Sequence, residues 1–166
     1  MISHRRVSRW PVAAVIAGLV ASHFYIRPWF GNSQAAPDLL LLAMLLVAIR
    51  SRPGVAAVVG FVVGVVTDVL SPARFGAGAL AHTIVGYGAA WGRAVFFPDN
   101  LLVNAGLFAG GVWLRTLIVL LASRADLGEL ARVALIWSPL QAVTTAVAGV
   151  IVVVVFRNWL AIRLDE

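Results

Sequence analysis

The chain is built almost entirely from apolar stretches of about the length needed to cross a lipid bilayer. A spanning α-helix needs ~20 mostly apolar residues. Five stretches reach or approach this length with their flanks, and one is apolar but short, because it ends at Arg50. In chain order, the six stretches cover residues 11–25, 37–49, 55–70, 75–97, 101–122 and 133–156.

The composition also excludes a soluble domain. Hydrophobic residues make up 61% of the 166 residues, and charged residues only 12%, against about 25% in a typical soluble protein. Because so few polar side chains cannot cover a water-facing surface, lipid must be the solvent for most of the exterior. No shift in composition marks a boundary, so we predict one polytopic transmembrane domain over residues 1–166.

The arginines indicate both the number of spans and their orientation. All 13 basic residues are arginine, and they sit beside the apolar stretches, so contact with lipid headgroups explains them better than nucleic acid does. Six helices with both termini in the cytoplasm give the expected positive-inside bias, with Arg115 left inside a helix. The cytoplasmic ends then hold Arg5, Arg6, Arg9, Arg50, Arg52, Arg93, Arg157 and Arg163, and the outer ends hold Arg27, Arg74, Arg124 and Arg132.

No catalytic or metal-binding pattern is evident. Cysteine is absent, and the three histidines, His4, His23 and His82, belong to no HExxH motif. Paired carboxylates within a span, a phosphate-binding loop and a nucleophile elbow are also missing. We therefore predict that the protein is not an enzyme, has no catalytic residues and holds no metal or cofactor.

Several polar residues fall inside the predicted spans, toward the outer half of the bundle. Asp68 and Arg115 lie at similar depth, and His82 and Gln141 lie in the same half. A charge at mid-bilayer costs about 2.5–3.5 kcal/mol on insertion scales, so these groups should face the interior. One interpretation is a buried polar tie in which Asp68 pairs with Arg115. The alternatives are a ligand-lined cavity open to the outer face, or snorkelling of either charge to the surface.

Small residues recur at the spacing that places them on one helix face. Such faces allow close approach of helix backbones in lipid. Internal packing of the bundle is one interpretation, and a binding face for a partner's transmembrane helix is the other. The predicted packing residues are Gly60, Gly64, Gly76, Gly88, Gly92, Gly106 and Gly110, and the candidate partner interface on the first helix is Ala13, Ala17 and Ala21.

Residues 37–92 resemble the bacterial rod shape-determining protein family MreD. The similarity rests on Pro37 before a short leucine-rich helix and on the segment 60–68, which reads Gly-Phe-Val-Val-Gly-Val-Val-Thr-Asp. It continues with Phe75-Gly76 and with Gly86-Tyr87 in a helix of small residues. These residues cover about a third of the chain, and the remainder is similar only in hydropathy.

The resemblance implies a non-enzymatic scaffold of the cell-elongation machinery in the bacterial plasma membrane. It implies an MreC-like bitopic partner and, through it, MreB, RodA and a class B penicillin-binding protein that together control peptidoglycan synthesis. It also implies a fold similar to the six-helix S-components of energy-coupling-factor transporters. The alternative function, which rests on the polar residues of the outer half, is a small-solute-binding, S-component-like subunit of a membrane transporter.

Overall fold

The computed structural model describes residues 10–26, 29, 34–71, 75–95 and 100–156. Within these ranges all regular structure is helical, as predicted. A π-helical segment, Val133–Trp137, joins the last two helices into one continuous rod of 29 residues. The helices are α1 Trp10–Ile26, α2 Leu39–Ala48, α3 Pro53–Leu70, α4 Ala77–Val95, α5 Leu101–Ala122, α6 Leu127–Arg132 and α7 Ser138–Val155.

The described helices differ in their ability to cross a bilayer. Three are long and apolar enough to do so: α3, α5 and the rod Leu127–Val155. α1 is apolar but has 17 residues, and α2 has only 10. α4 has 19 residues, but its glycine, histidine and threonine residues lower its hydropathy, and it is not one of the three apolar spans. The six predicted helices are thus present, whereas only three of them qualify as spans by length and composition.

The short helix α2 lies at the centre of the bundle. It contacts α1, α3, α4, α5 and α7, and eight of its ten residues are buried. At 1.5 Å per residue it is ~15 Å long, about half the thickness of a bilayer's hydrocarbon core. α2 therefore cannot reach both surfaces, and the protein itself must satisfy its end groups.

The two ends of the bundle can be named after residues that cap α2. Asp38 precedes α2, and Arg93 of α4 donates a hydrogen bond to the Ile49 carbonyl at the other end. A guanidinium at a helix C-terminus satisfies a free carbonyl and complements the helix dipole. Burial, and to a lesser extent the nearby Arg93 charge, lowers the pKa of Arg50 at this Arg93 end.

Aromatic side chains are exposed at both ends of the bundle. Trp10 and Trp91 are exposed at the Arg93 end, and Tyr25 is exposed at the Asp38 end. Tryptophan and tyrosine concentrate at the two membrane–water interfaces. Their positions are those expected for a bundle whose axis runs across a bilayer.

Glycines bring α3 and α4 into backbone contact, and these two share the most extensive contact among the described helices. A Cβ atom added at Gly60 would lie 2.2 Å from the carbonyl oxygen of His82, and one at Gly64 would lie 2.5 Å from the Cα atom of Ala79. On the α4 side, a Cβ atom added at Gly86 would meet the carbonyl oxygen of Ala56 on α3. Only glycine allows this approach at these positions.

The other glycines predicted to pack are placed differently. At Gly88, Gly106 and Gly110 an added Cβ would meet nothing within 4 Å in the described part of the chain. Gly92 would contact only the Leu107 side chain, at 3.3 Å, and Gly76 occupies a turn with φ +92°. The expected internal packing is therefore wrong for Gly88, Gly106 and Gly110, because the spacing defines a helix face but does not say whether a neighbour covers it.

Two glycines that the sequence did not single out pack against the core. A Cβ at Gly149 of α7 would lie 2.4 Å from the Phe108 ring, and one at Gly111 of α5 would lie 3.0 Å from Leu45. Phe108 and Leu45 are fully buried. Close packing around α2 therefore depends on single glycines as well as on the paired spacing.

Replacing Gly60 by Ala should destabilise the bundle. The added methyl group meets backbone rather than a movable side chain, so α3 and α4 must separate, at a cost of about 1–3 kcal/mol in unfolding free energy. Gly88→Ala is the matched control: it lies in open space and should leave stability unchanged or raise it by up to ~1 kcal/mol. Denaturant titration in detergent micelles, followed by tryptophan fluorescence, measures both. Equal effects of the two substitutions would contradict the close contact.

Candidate functional site

The polar site of this protein is built around the N-terminus of α2. Asp38 is the N-cap residue, and its Oδ1 accepts a hydrogen bond of 3.0 Å from the backbone N–H of Leu41. The N–H of Leu40 donates to Nδ1 of His23 on α1, at 3.2 Å. Side chains thus satisfy the first donors of α2.

α7 holds the irregular backbone that leads into α2. Gln141 Nε2 donates to the carbonyl of Ala36 at 3.2 Å, and Thr144 Oγ1 donates to the carbonyl of Ala35 at 2.7 Å. The backbone N–H of Asp38 donates to Thr145 Oγ1 at 3.0 Å. Non-helical backbone is tolerated at membrane depth only where protein satisfies it, and the polar face of α7 supplies those bonds here.

Arg115 of α5 forms its ion pair with Asp38. A terminal guanidinium nitrogen contacts Asp38 Oδ2, and the two side chains are 20% and 5% exposed, respectively. Asp38 Oδ1 also lies 3.7 Å from His23 Nδ1. The carboxylate therefore caps α2 with one oxygen and neutralises Arg115 with the other.

The predicted pairing of Arg115 with Asp68 is not the one that the structure contains. Asp68 instead accepts three backbone N–H groups, from Gly76 at 2.9 Å and from Gly78 and Ala79 at 2.8 Å. These donors belong to the turn before α4 and to its first residues, so Asp68 of α3 caps α4 from the neighbouring helix. A carboxylate with three such donors needs no cation.

The remaining two members of the predicted tie stand in different environments. His82 is buried and its Nδ1 donates to the Gly78 carbonyl at 2.8 Å, within α4. Gln141 is bound to the backbone before α2. The four predicted polar residues thus share one end of the bundle, but Asp38 is the group that connects them to α2.

Two cavities adjoin Arg115. One, of about 290 Å³, lies between α5 and the rod and is lined in part by Glu129, Trp137, Ser138 and Gln141. The other, of about 210 Å³, is lined by His23, Asp38, Asp68 and His82 among others. Arg115 and Val119 line both. All the buried polar residues of the described chain except Asn104 belong to this end, so the predicted outer-half cluster includes cavity space.

A π-helical segment forms one wall of the larger cavity. Pro139 has no N–H and its ring would clash with the preceding helical turn, which favours a local widening of the helix. The N–H of Ser138 accordingly bonds to the Val133 carbonyl, five residues back. This leaves the Ala134 carbonyl without a helical donor, and Trp113 Nε1 of α5 donates to it at 3.0 Å.

The site contains no arrangement typical of catalysis or metal binding. In the ranges that the structure describes, no three His, Asp or Glu side chains are close enough to hold a metal ion. His23 and Asp38 cap α2, Asp68 caps α4, and Asp38 also pairs with Arg115. These contacts position the N-terminal ends of α2 and α4.

Comparison with known protein families identifies the family of this chain. A family model described as rod shape-determining protein MreD matches residues 4–163. The chain belongs to the MreD family. Comparison with curated proteins and with solved structures found no match for this chain. Membership in MreD supports a role in rod-shape determination as a membrane protein of the shape-determining machinery, and MreD is not a known enzyme family.

The residue that sequence reasoning missed is Asp38. Its signal was present, since an Asp directly before a leucine-rich helix is a typical N-cap. Its position at the beginning of the stretch 37–49 indicated the membrane surface, whereas Arg115 lies in the middle of a predicted span. The shortness of α2 brings this end residue inside the bundle, where it meets a charge from the middle of α5.

A double-mutant cycle tests which carboxylate pairs with Arg115. Asp38→Asn and Arg115→Gln should each lower the unfolding free energy by about 3–5 kcal/mol, because each leaves the other charge buried and unpaired. The double variant should lose less than the sum of the two by roughly 0.5–3 kcal/mol. Asp68→Asn combined with Arg115→Gln is the control and should show the smaller coupling. Denaturant titration in micelles measures the cycle, and a larger coupling for Asp68 would reverse the assignment.

Proposed function

We propose that this MreD-family protein is a non-enzymatic scaffold of the cell-elongation machinery. In this role it binds an MreC-like bitopic protein within the bacterial plasma membrane. Through that partner it acts on MreB, RodA and a class B penicillin-binding protein, and so helps to maintain rod shape by controlling peptidoglycan synthesis. The observation that carries the proposal is the family match over residues 4–163.

The proposed topology has six membrane-embedded helices and cytoplasmic termini. The Arg93 end then faces the cytoplasm with Arg50, Arg52 and Arg93, in agreement with the positive-inside rule. The Asp38 end and its two cavities face outward. A fold similar to that of the S-components of energy-coupling-factor transporters remains a prediction from the family resemblance.

The exposed face of α1 is the surface that we assign to the partner helix. Ala13, Ala17 and Ala21 are exposed at i, i+4 spacing, and Gly18 beside them has open space around it. α1 makes its main contacts with α2, and its alanine face is exposed among the described residues. A smooth face of small residues suits the close approach of one further transmembrane helix.

A second surface of the same kind lies on α5. Gly106 and Gly110 are exposed and have no neighbour within 4 Å in the described part of the chain. This surface has two small positions, whereas α1 offers three alanines and a glycine. We therefore place the MreC-like helix on α1 and treat α5 as the competing location.

A small-solute-binding transporter subunit is the weaker alternative. The cavities beside Arg115 favour it, since ligand sites combine apolar walls with a few convergent polar groups. Against it, Asp38 neutralises the Arg115 charge, and the family is one of shape determination. The scaffold accounts for more of the observations.

Replacing Ala17 by Phe should reduce recovery of the partner. The bulky ring would hold the MreC-like helix away from α1, so the amount of partner that copurifies with the solubilised protein should fall several-fold. Thermal unfolding should be unchanged, because Ala17 is exposed and does not belong to the core.

Two matched variants give this experiment its controls. Val143→Phe places the same ring on an exposed position of α7 and should leave recovery unchanged. Gly106→Phe probes the competing surface on α5. Loss of the partner with Gly106→Phe alone would move the interface to α5, and copurification of an ATPase pair with a coupling subunit instead of an MreC-like protein would refute the scaffold.

A further inference from the structure

Three arginines lie together at the Arg93 end of the bundle. Arg50 follows the last turn of α2, Arg52 precedes α3, and Arg93 belongs to the last turn of α4. The hydrogen bond from Arg93 to the Ile49 carbonyl places its guanidinium beside the backbone of the next residue, Arg50. The fold therefore holds two of these positive charges close to each other.

The described carboxylates all lie at the opposite end of the bundle. Asp38 precedes α2, Asp68 is in the last turn of α3, and Asp126 and Glu129 are at the beginning of α6. Both salt bridges within the described ranges are made by Asp38. The described part of the chain thus provides no negative charge for the arginines of the Arg93 end.

The Arg50 guanidinium takes no part in capping α2. The carbonyls at this end of α2 have other donors: Ser51 Oγ donates to Val47 at 2.8 Å, the Ser51 N–H donates to Ala48 at 3.0 Å, and Arg93 donates to Ile49. Among the described residues no acceptor bonds to the Arg50 guanidinium, which is partly exposed and has no nitrogen that is both buried and unpaired. Its donors are therefore available to a ligand.

An anion would relieve an unfavourable arrangement of charge at this place. Burial, and then the neighbouring Arg93 charge, act against the charged Arg50 side chain and lower its pKa. A negative group in contact with both guanidiniums would compensate for both effects. Arg93 uses one terminal nitrogen for Ile49 and keeps further N–H donors. Phosphate suits such a pair, because guanidinium groups form charge-assisted and often bidentate hydrogen bonds with it.

The surface beside the arginines is apolar, and this selects a lipid over a soluble anion. Val55 and Val58 in the first turns of α3, and Trp91 and Val95 near the end of α4, are each more than half exposed. A soluble anion would leave these side chains uncovered, whereas a phospholipid places acyl chains on them. Basic pockets between membrane helices are known binding places for anionic lipid headgroups.

We propose that the Arg93 end binds an anionic glycerophospholipid, whose phosphate lies between the Arg50 and Arg93 guanidiniums and whose acyl chains lie on the apolar surfaces of α3 and α4. Arg52, exposed at the beginning of α3, adds positive charge at the edge of this site. The proposal requires only that the bundle is embedded in a bilayer, and it stands independently of the scaffold function.

The first experiment compares lipids on the full-length protein in detergent by native mass spectrometry. Phosphatidylglycerol and phosphatidylcholine with the same acyl chains are titrated separately. Phosphatidylglycerol should bind at least about fivefold more tightly, because its net negative charge meets the arginines. Glycerol 3-phosphate, which lacks acyl chains, should not displace it at equal concentration. Equal affinity for the two lipids, or displacement by glycerol 3-phosphate, would overturn the proposal.

The second experiment removes one charge from the site. Arg50→Gln should lower the affinity for phosphatidylglycerol about fivefold. In phosphatidylcholine nanodiscs its thermal midpoint should be unchanged or higher, because Arg50 has no acceptor among the described residues and the repulsion from Arg93 is removed. Unchanged affinity for phosphatidylglycerol in this variant would contradict the assignment.

Arg132→Gln is the matched control for total charge. It removes one exposed arginine at the Asp38 end, so phosphatidylglycerol binding should be retained. A loss equal to that of Arg50→Gln would replace the site with a general effect of net charge. Arg50→Lys keeps the charge but lacks the planar guanidinium, and its affinity should lie between those of the wild type and Arg50→Gln. An affinity no higher than that of Arg50→Gln would contradict a phosphate held by charge.

Discussion

The structure depends on the need to satisfy both ends of a helix that is too short for the membrane. α2 has ten residues, all of them apolar, and it is surrounded by five other helices. Lipid and apolar side chains cannot bond to its terminal N–H and C=O groups, and each group left unpaired would cost several kcal/mol. Asp38 and His23 serve one end, and Arg93 serves the other.

This requirement explains why polar residues gather at the Asp38 end. A carboxylate that caps α2 inside a membrane bundle is a buried negative charge, and Arg115 compensates it. The chain before α2 is irregular, so Gln141, Thr144 and the following Thr145 provide its hydrogen bonds from α7. The side chains packed around the Arg115 guanidinium do not fill the space beside it, and two cavities remain there.

Much of the fold could be predicted because hydropathy and glycine spacing act locally. The all-helical architecture and the order of the helices follow from the apolar stretches, and the match to MreD agrees with the segment 60–68. The close contact at Gly60 and Gly64 needs both a small-residue face and a neighbour, and only the structure supplies the neighbour. Gly106 has the same spacing but no neighbour within 4 Å among the described residues, so spacing alone could not separate the two cases.

The candidate site was less predictable, because ion pairs depend on which helix ends enter the bundle. Asp68 and Arg115 lie at a similar predicted depth in the membrane. Residues at one depth can lie on different sides of a bundle, so depth does not identify which of them are in contact. Asp68 caps α4 and does not pair with Arg115. Because α2 is short, Asp38 at its beginning lies inside the bundle and pairs with Arg115. The bond from Trp113 of α5 to the Ala134 carbonyl likewise joins two helices, and no local pattern reveals it.

The enclosure of α2 can be tested directly on the unmodified protein with a photoactivatable lipid. The protein is reconstituted in bilayers that contain a diazirine-bearing phospholipid and irradiated, and the labelled positions are mapped by mass spectrometry. The account predicts labelling on the exposed faces of α3, α5 and α7, for example at Val62, Leu114 and Ile151, and none along Leu39–Ala48. Labelling of α2 to the same extent as those helices would contradict the central, enclosed position on which the rest of the structure depends.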